Sequence, residues 1–169
     1  MNKLKQSFET LTHTFEPIYD KDSRILILGS FPSVKSRENH FSYGHPQNRF
    51  WKVIAGVTGK PVPVSIEEKK KLLLSSHIAI WDVIASCSIQ GSSDSSIRDV
   101  VVNDFTQVLA DSRIQTIYVN GNKAYELYHK YAELTTGIPA IKLPSTSPAN
   151  AAWSVERLCG DWKQILEYL

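Results

Sequence analysis

Four short apolar runs recur along the chain, and segments with the patterning of helices lie between them. The runs cover residues 24–28, 77–84, 114–119 and 139–143. The second run is almost continuously apolar, which is typical of a strand buried on both faces of a parallel sheet. Strands that alternate with helices favour right-handed crossovers and a sheet covered on both faces. We therefore predict an α/β protein, a three-layer α/β/α sandwich around a roughly four-stranded parallel sheet.

Helix signals occupy the intervals between these runs. An amphipathic helix is predicted over residues 3–15, because apolar side chains recur there at spacings of four, three and four. Pro46 marks the first turn of a second helix. Ser65, followed closely by two glutamates, is a predicted cap for a helix that runs to about residue 75. Further helices are predicted near 103–110, 123–131 and 154–169.

Composition limits the size, the partners and the compartment of the protein. With 169 residues, 42% of them hydrophobic, the chain suffices for one domain, 1–169, with a substantial core. A net charge of +2 gives no broad cationic surface, so binding to nucleic acid requires a local patch. Cys87 and Cys159 fit no metal-binding spacing, and neither a metal nor another cofactor is expected. The polar start of the chain and the absence of an apolar run of about 20 residues predict a soluble, cytoplasmic protein.

A polar loop with exposed-looking aromatic residues follows the first predicted strand, between Gly29 and Pro46. Ligands of α/β proteins bind at the carboxyl ends of strands. A loop of this length is more often a binding loop than a simple connector. Aromatic rings among basic side chains suit a nucleobase and its phosphates, and this loop holds Phe41 and Tyr43 together with Lys35, Arg37, His40 and His45.

Three motifs resemble segments of the uracil-DNA glycosylase superfamily. GSFPS at 29–33 and LPSTSPAN at 143–150 resemble its hypoxanthine (deoxyinosine) glycosylases. FSYGHPQNRFWKVI at 41–54 resembles its mismatch-specific uracil/thymine glycosylases. Together the motifs frame the chain from Arg24 to about Trp153. The resemblance implies an enzyme that flips a deaminated base out of double-stranded DNA and hydrolyses its N-glycosidic bond.

Two positions at which the superfamily usually carries catalytic polar residues are apolar in this chain. Phe31 stands where an Asp or Asn often holds the attacking water, and Leu143 stands where a His or Asn often stabilises the leaving base. Asn48, near the amino end of a predicted helix, is the best remaining candidate to position water. The alternative for Asn48 is a hydrogen bond that caps the helix or braces the loop. His45 is the second catalytic candidate.

Four residues are predicted to bind the base. The backbone of Ser30 and Phe31 would line the pocket. Tyr43 falls where the superfamily places the aromatic residue that stacks on the extruded base; a tyrosine that lies over the core is the alternative. Asp82 aligns with the strand whose Asn reads the pyrimidine edge in uracil enzymes. An ionised Asp only accepts hydrogen bonds, so it would favour the N1–H of hypoxanthine over the N1 acceptor of adenine; a structural Asp at a strand end is the alternative.

The segment 143–150 matches the superfamily loop that enters the minor groove and holds phosphates, although a plain Ser/Pro turn is the alternative. The serine-rich residues 91–96 follow the Asp82 strand and are a candidate pocket wall. The residues predicted to contact DNA are Arg49, Lys142, Ser145, Thr146, Ser147, Pro148 and Asn150.

The resulting hypothesis is a monomeric, monofunctional DNA glycosylase that excises hypoxanthine during base excision repair. No lysine is placed for a Schiff base, so no strand-cleaving lyase step is expected. Two alternatives remain open. One is a uracil or G·U mismatch glycosylase of the same fold. The other is a DNA- or nucleotide-binding domain without catalysis, because Phe31 and Leu143 lack polar groups.

Overall fold

The computed structural model of the protein describes residues 9–12, 15–31, 41–90 and 97–169. Its strands are β1 Glu9–Thr12, β2 Ile25–Gly29, β3 Ile78–Asp82, β4 Ile84–Ile89, β5 Arg98–Val102, β6 Thr116–Asn120 and β7 Ala140–Leu143. Its helices are α1 Phe50–Thr58, α2 Ile66–Ser75, α3 Thr106–Ala110, α4 Asn122–Tyr131, α5 Glu133–Thr136 and α6 Val155–Trp162, followed by a 3₁₀ helix, Lys163–Tyr168. No helix within these ranges is long and apolar enough to cross a lipid bilayer.

Four strands form a parallel sheet in the order β3–β2–β6–β7. β2 lies inside the sheet and is buried along its whole length. The register pairs Gly29 with Asp82, and Asn120 with Leu143, so the carboxyl ends of all four strands meet at one edge. The predicted four-stranded parallel sheet is confirmed, and the described parts of the sequence motifs lie at its carboxyl edge.

Alternate residues of β2 face opposite layers of helices, as the two-residue period of a strand requires. Ile25 and Ile27 belong to an apolar cluster that includes side chains of α1, α2 and α6. Leu26 and Leu28 belong to a second cluster that includes side chains of α3 and α4. The sheet is thus covered on both faces, and the predicted three-layer sandwich is confirmed.

Residues 9–12 form strand β1, and the helix predicted over residues 3–15 was wrong for this segment. β1 pairs antiparallel with β4, so that Leu11 lies opposite Cys87. Thr10 and Thr12 are β-branched and favour extended backbone. The spacing between the apolar residues resembles that of a helix. Hydrogen bonds to a neighbouring strand, however, satisfy the backbone N–H and C=O groups as well as helical hydrogen bonds do. Residues 3–8 and 13–14 of the predicted helix lie outside the described residues.

The apolar run predicted as one strand over 77–84 contains a switch between two sheets. β3 ends at Asp82 in the parallel sheet, and β4 continues from Ile84 into an antiparallel sheet of order β1–β4–β5. Asn103 stabilises the switch, because its Nδ2 donates to the carbonyl oxygens of Asp82 at 2.8 Å and Ile84 at 3.3 Å. The turn leaves Asp82 at the carboxyl edge of the parallel sheet.

Of the two helix starts predicted at Ser65 and Pro46, the structure confirms the first and places the second further along the sequence. The cap at Ser65 is confirmed: its Oγ accepts from the backbone N–H of Glu68 at 3.0 Å, and Glu68 Oε1 accepts from the backbone N–H of Ser65 at 2.9 Å. The helix predicted from Pro46 begins only at Phe50. The intervening residues form a turn, in which the backbone N–H of Asn48 donates to the His45 carbonyl oxygen at 3.0 Å.

Candidate active site

Three strand ends and two loop segments form the candidate active site at the carboxyl edge of the parallel sheet. The strand ends supply Gly29 of β2, Asp82 of β3 and Asn120 of β6. Residues 41–49 lead into α1 and are called the aromatic segment. Residues 143–150 begin at the end of β7 and are called the proline segment.

Tyr43 of the aromatic segment has a left-handed backbone conformation, with φ of 53°. This conformation is unfavourable for a bulky L-residue, so the surrounding contacts must stabilise it. The ring stacks on Phe50, with centroids 3.9 Å apart and planes 8° from parallel. Trp51 lies nearly perpendicular to the Tyr43 ring, with centroids 6.5 Å apart. Tyr43 is therefore an aromatic platform supported from the core on one face.

The Tyr43 hydroxyl and the Asp82 carboxylate approach the same point above Gly29. A Cβ atom at Gly29 would lie 2.5 Å from Asp82 Oδ1 and 3.3 Å from Tyr43 Oη. Asp82 is buried, with only 7% of its surface exposed. Burial, together with the charge of Asp82, raises the pKa of Tyr43 well above its ordinary value. The phenol keeps its proton at neutral pH, and the site offers a carboxylate acceptor beside a hydroxyl group.

We expect Gly29→Ala to lower base excision strongly, because the added methyl group displaces the carboxylate or the hydroxyl. A displacement of about 1 Å in an active site can lower the rate about 100-fold. Gly160→Ala is a suitable control, since a Cβ atom there would have nothing within 4 Å. The single-turnover rates of both folded variants should be compared with that of the wild type. Equal rates for the two variants would show that the close approach at Gly29 is not needed.

Asn48 of the aromatic segment has its side-chain oxygen occupied by two donors. The backbone N–H of Phe50 donates to Asn48 Oδ1 at 2.9 Å, and the Thr146 hydroxyl donates to the same atom at 2.9 Å. Among the described residues, the amide nitrogen of Asn48 has no hydrogen-bond partner. Asn48 therefore presents N–H donors, and its acceptor oxygen braces the start of α1.

Asn120 connects the end of β6 to the proline segment. Its Oδ1 accepts from the backbone N–H of Thr146 at 3.1 Å, and its Nδ2 donates to Thr146 Oγ1 at 3.0 Å. Nδ2 also donates to Tyr43 Oη at 3.4 Å. Thr146 is fully buried. Asn120 belongs to none of the sequence motifs, and the only sequence signal for it is the Asn-Gly pair that ends a predicted strand.

The Arg49 side chain is surrounded by the proline segment and donates hydrogen bonds to its backbone. Its guanidinium donates to the carbonyl oxygens of Thr146 at 3.3 Å, Ser147 at 2.8 Å and Asn150 at 3.0 Å, and also to that of Trp153. These backbone oxygens converge on one cation, so the segment curls around the Arg49 side chain. The structure thus places Arg49 under the predicted DNA-contacting segment.

The remaining residues of the proline segment brace one another. Ser145 Oγ accepts from the backbone N–H of Ser147 at 3.1 Å, and Ser147 Oγ accepts from that of Ala149 at 3.2 Å. Asn150 Nδ2 donates to the Ser145 carbonyl oxygen at 3.0 Å. Pro148 is half-buried in the turn that these bonds define. The result is a preformed turn close to Asn48 and Tyr43.

The other predicted residues lie around this centre. His45 Nδ1 accepts from the backbone N–H of Gln47 at 3.1 Å, so the neutral ring carries its proton on Nε2. Ser30 is half-buried directly after β2, and Lys142 is exposed on β7. The Lys142 ammonium lies 5.6 Å from the centre of the Tyr125 ring. The predicted candidates Lys35, Arg37, His40 and 91–96 lie outside the described residues.

The two apolar departures from the superfamily pattern are part of the core. Leu143 is fully buried in the cluster beneath α1 and α6. Phe31 packs against the cluster on the opposite face of the sheet. Both side chains thus strengthen the core at the base of the site. Among the described residues, no group of three or more His, Cys, Asp or Glu side chains is placed to hold a metal ion.

The family model of the uracil DNA glycosylase superfamily matches residues 16–169, and the chain belongs to this superfamily. A Methanosarcina acetivorans protein named hypoxanthine DNA glycosylase is 34% identical over 158 residues, which cover 91% of this chain and 97% of the relative. A Methanosarcina barkeri protein of the same name is 32% identical over 115 residues, which cover 66% of this chain and 72% of the relative. A solution NMR structure of a Methanosarcina acetivorans protein superposes with a TM-score of 0.79 at 33% identity, covering 94% of this chain and 97% of that one. The resemblance of the motifs to the superfamily is confirmed.

Proposed function

We propose that this protein is a monofunctional DNA glycosylase that removes hypoxanthine from double-stranded DNA. The observation that carries the proposal is the buried Asp82 carboxylate beside the Tyr43 hydroxyl at the carboxyl edge of the sheet. The name hypoxanthine DNA glycosylase on two relatives supports the same substrate. A monomeric enzyme that acts in the cytoplasm, in base excision repair, fits this activity.

The extruded base would lie against Tyr43, whose ring is supported by Phe50. A flipped base loses its neighbours in the duplex, and an aromatic face replaces them. Asp82 would accept a hydrogen bond from N1–H of hypoxanthine, whereas adenine offers an acceptor at N1 and is disfavoured. The backbone of Ser30 and Phe31, which follows β2, would complete this side of the pocket. Uracil also carries an N–H donor, which makes it the second candidate substrate.

Asn48 would act as a hydrogen-bond donor during catalysis. Its oxygen is occupied by Phe50 and Thr146, so its amide nitrogen is the group available to the substrate. Preorganised N–H donors suit the negative charge that develops on the departing base. Removal of a proton from water requires an acceptor, which this amide does not offer. His45, with its proton on Nε2, would be a second donor toward a phosphate or water.

The proline segment would contact the duplex, with Pro148 in its turn. Because Thr146 is buried and the Arg49 guanidinium is engaged by backbone oxygens, we assign both residues a supporting role instead of the direct DNA contact expected from the sequence. A preformed turn loses little conformational entropy on binding. The residues that we propose to face DNA are Lys142, Ser145, Ser147, Pro148 and Asn150.

Binding should depend only gently on salt, because the net charge is small and few phosphates are neutralised. Each phosphate contact contributes about 0.9 to the slope of log K against log salt. Lys142→Glu should therefore flatten this slope, measured by fluorescence anisotropy with a labelled duplex. Arg113→Glu is the control, since Arg113 is exposed near the amino edge of the sheet. A steep slope that responds to Arg113→Glu alone would place the DNA on the other edge.

The proposal is tested with duplexes that hold a single hypoxanthine, uracil, xanthine or mismatched thymine. The hypoxanthine duplex should acquire an alkali-labile abasic site, and the strand should stay intact until alkali is added. Faster cleavage of the uracil duplex would favour the second candidate. Binding without any abasic site would indicate a DNA-binding domain without catalysis.

A further inference from the structure

We infer that Asn120 and Thr146 are positioning residues that orient the Asn48 amide through a directional chain of hydrogen bonds. The inference rests on the proposed catalytic role of Asn48. It assigns a functional role to Asn120, at the end of β6, and to the buried hydroxyl group of Thr146.

Two backbone N–H groups, one at each end, fix the direction of this chain of hydrogen bonds. Phe50 N–H can only donate, so the Asn48 atom that it meets at 2.9 Å is the oxygen. Thr146 N–H meets Asn120 at 3.1 Å and identifies that atom as an oxygen for the same reason. The Asn120 nitrogen must then face Thr146 Oγ1 at 3.0 Å. Neither amide can be flipped without placing two donors against each other.

The Thr146 hydroxyl transmits this direction to Asn48. It accepts from Asn120 Nδ2, and it gives its single proton to Asn48 Oδ1 at 2.9 Å. Two donors therefore hold Asn48 Oδ1, and they fix the plane of the amide and the direction of its N–H groups. Thr146 is fully buried, so bulk water does not compete for the hydroxyl.

The chain also reaches the base-binding side of the site. The second N–H of Asn120 Nδ2 donates to Tyr43 Oη at 3.4 Å. Since Tyr43 Oη accepts this bond, its own proton is available to the Asp82 carboxylate, which approaches the same point above Gly29. Asn120 thus links Tyr43, which is proposed to bind the base, to Asn48, which is proposed to stabilise the base as it leaves.

Thr146→Val tests the inference, because it removes the hydroxyl and nearly keeps the shape. The single-turnover rate of hypoxanthine excision should fall about 10- to 100-fold, as expected for a misplaced catalytic group. Affinity for the damaged duplex should change little, and Thr146→Ser should restore most of the rate. Ser23→Ala is the matched control: Ser23 is also fully buried, and its Oγ accepts from the backbone N–H of Asp20 at 3.0 Å near the amino edge. It should lower thermal stability without lowering the rate.

A double-mutant cycle separates positioning from general structural support. In the Asn48→Ala background, Thr146→Val should cause no further loss of rate, because the hydroxyl acts only through the amide. Additive losses, or a full rate in folded Thr146→Val, would overturn the inference. If Thr146→Val does not fold, Thr146→Ser must be at least about tenfold faster than Thr146→Ala, and equal rates would overturn it. A full rate in Asn48→Ala would refute the catalytic role itself, whereas an inactive Asn48→Ala beside a fully active Thr146→Val would refute only the positioning role.

Discussion

Asn48→Ala is expected to lower the single-turnover rate of hypoxanthine excision about 100- to 1000-fold, the loss typical for a removed transition-state donor. Phe50 and Thr146 donate hydrogen bonds to Asn48 Oδ1, and these bonds fix the direction in which the Asn48 amide nitrogen points. Such a donor acts mainly on the charge that develops as the base departs. Affinity for the damaged duplex should therefore change by only a few fold, which titration under non-turnover conditions will measure.

Asn48→Asp is the matched variant for this prediction. A carboxylate keeps the shape and still accepts from Phe50 N–H and the Thr146 hydroxyl, but it has no N–H to donate. We expect it to be as slow as Asn48→Ala. An active Asn48→Asp enzyme would contradict the donor role and indicate an acceptor that activates water. His45→Ala should lose less rate than either variant; the reverse order would exchange the roles of His45 and Asn48.

Asp82→Asn is expected to weaken hypoxanthine excision and to shift relative activity toward uracil. A hydrogen bond to a charged partner contributes about 1.5–3 kcal/mol, so its loss should be large on the base that depends on it. Asp82 is buried at the strand end beside Tyr43, so water cannot easily compensate for the lost negative charge, and the amide of Asn brings an N–H donor to a base that itself offers N1–H. Rates on both bases should be compared in the same sequence context. Unchanged rates on both, in a variant with a normal unfolding transition, would exclude Asp82 from base recognition.

The parallel sheet could be predicted because its strands carry their signal locally. Continuous apolar runs, such as the one within the predicted strand 24–28, indicate burial on both faces of a sheet without reference to residues elsewhere in the sequence. β1 could not be predicted in this way, since its strand conformation depends on pairing with β4. The break after Asp82 is braced by a hydrogen bond from Asn103, a residue 21 positions further along the chain. Local patterns identify the elements, and distant partners decide where they end.

In the candidate site, too, local sequence indicated which residues are involved, and contacts with distant residues determine what their side chains can do. The position of Asn48 before a helix suggested a polar role, but which end of its amide faces the substrate depends on Thr146, a residue remote in sequence. Arg49 lay within the motif at 41–54, and its charge suggested a phosphate contact. The structure shows that its donors meet backbone oxygens of the proline segment. Asn120 carried no motif of its own, and its place became evident only when β6 and the proline segment met.

The most direct test of the proposed activity is the single-turnover rate of free-base release from duplexes that differ only in one base: hypoxanthine, uracil or adenine. The measurement uses the intact wild-type protein in excess over DNA, with the released base identified by chromatography. We predict that hypoxanthine is released at least about tenfold faster than uracil, the factor that corresponds to about 1.4 kcal/mol, and that adenine is not released. Release of uracil at an equal or higher rate, or of no base at all, would refute the proposed activity on hypoxanthine.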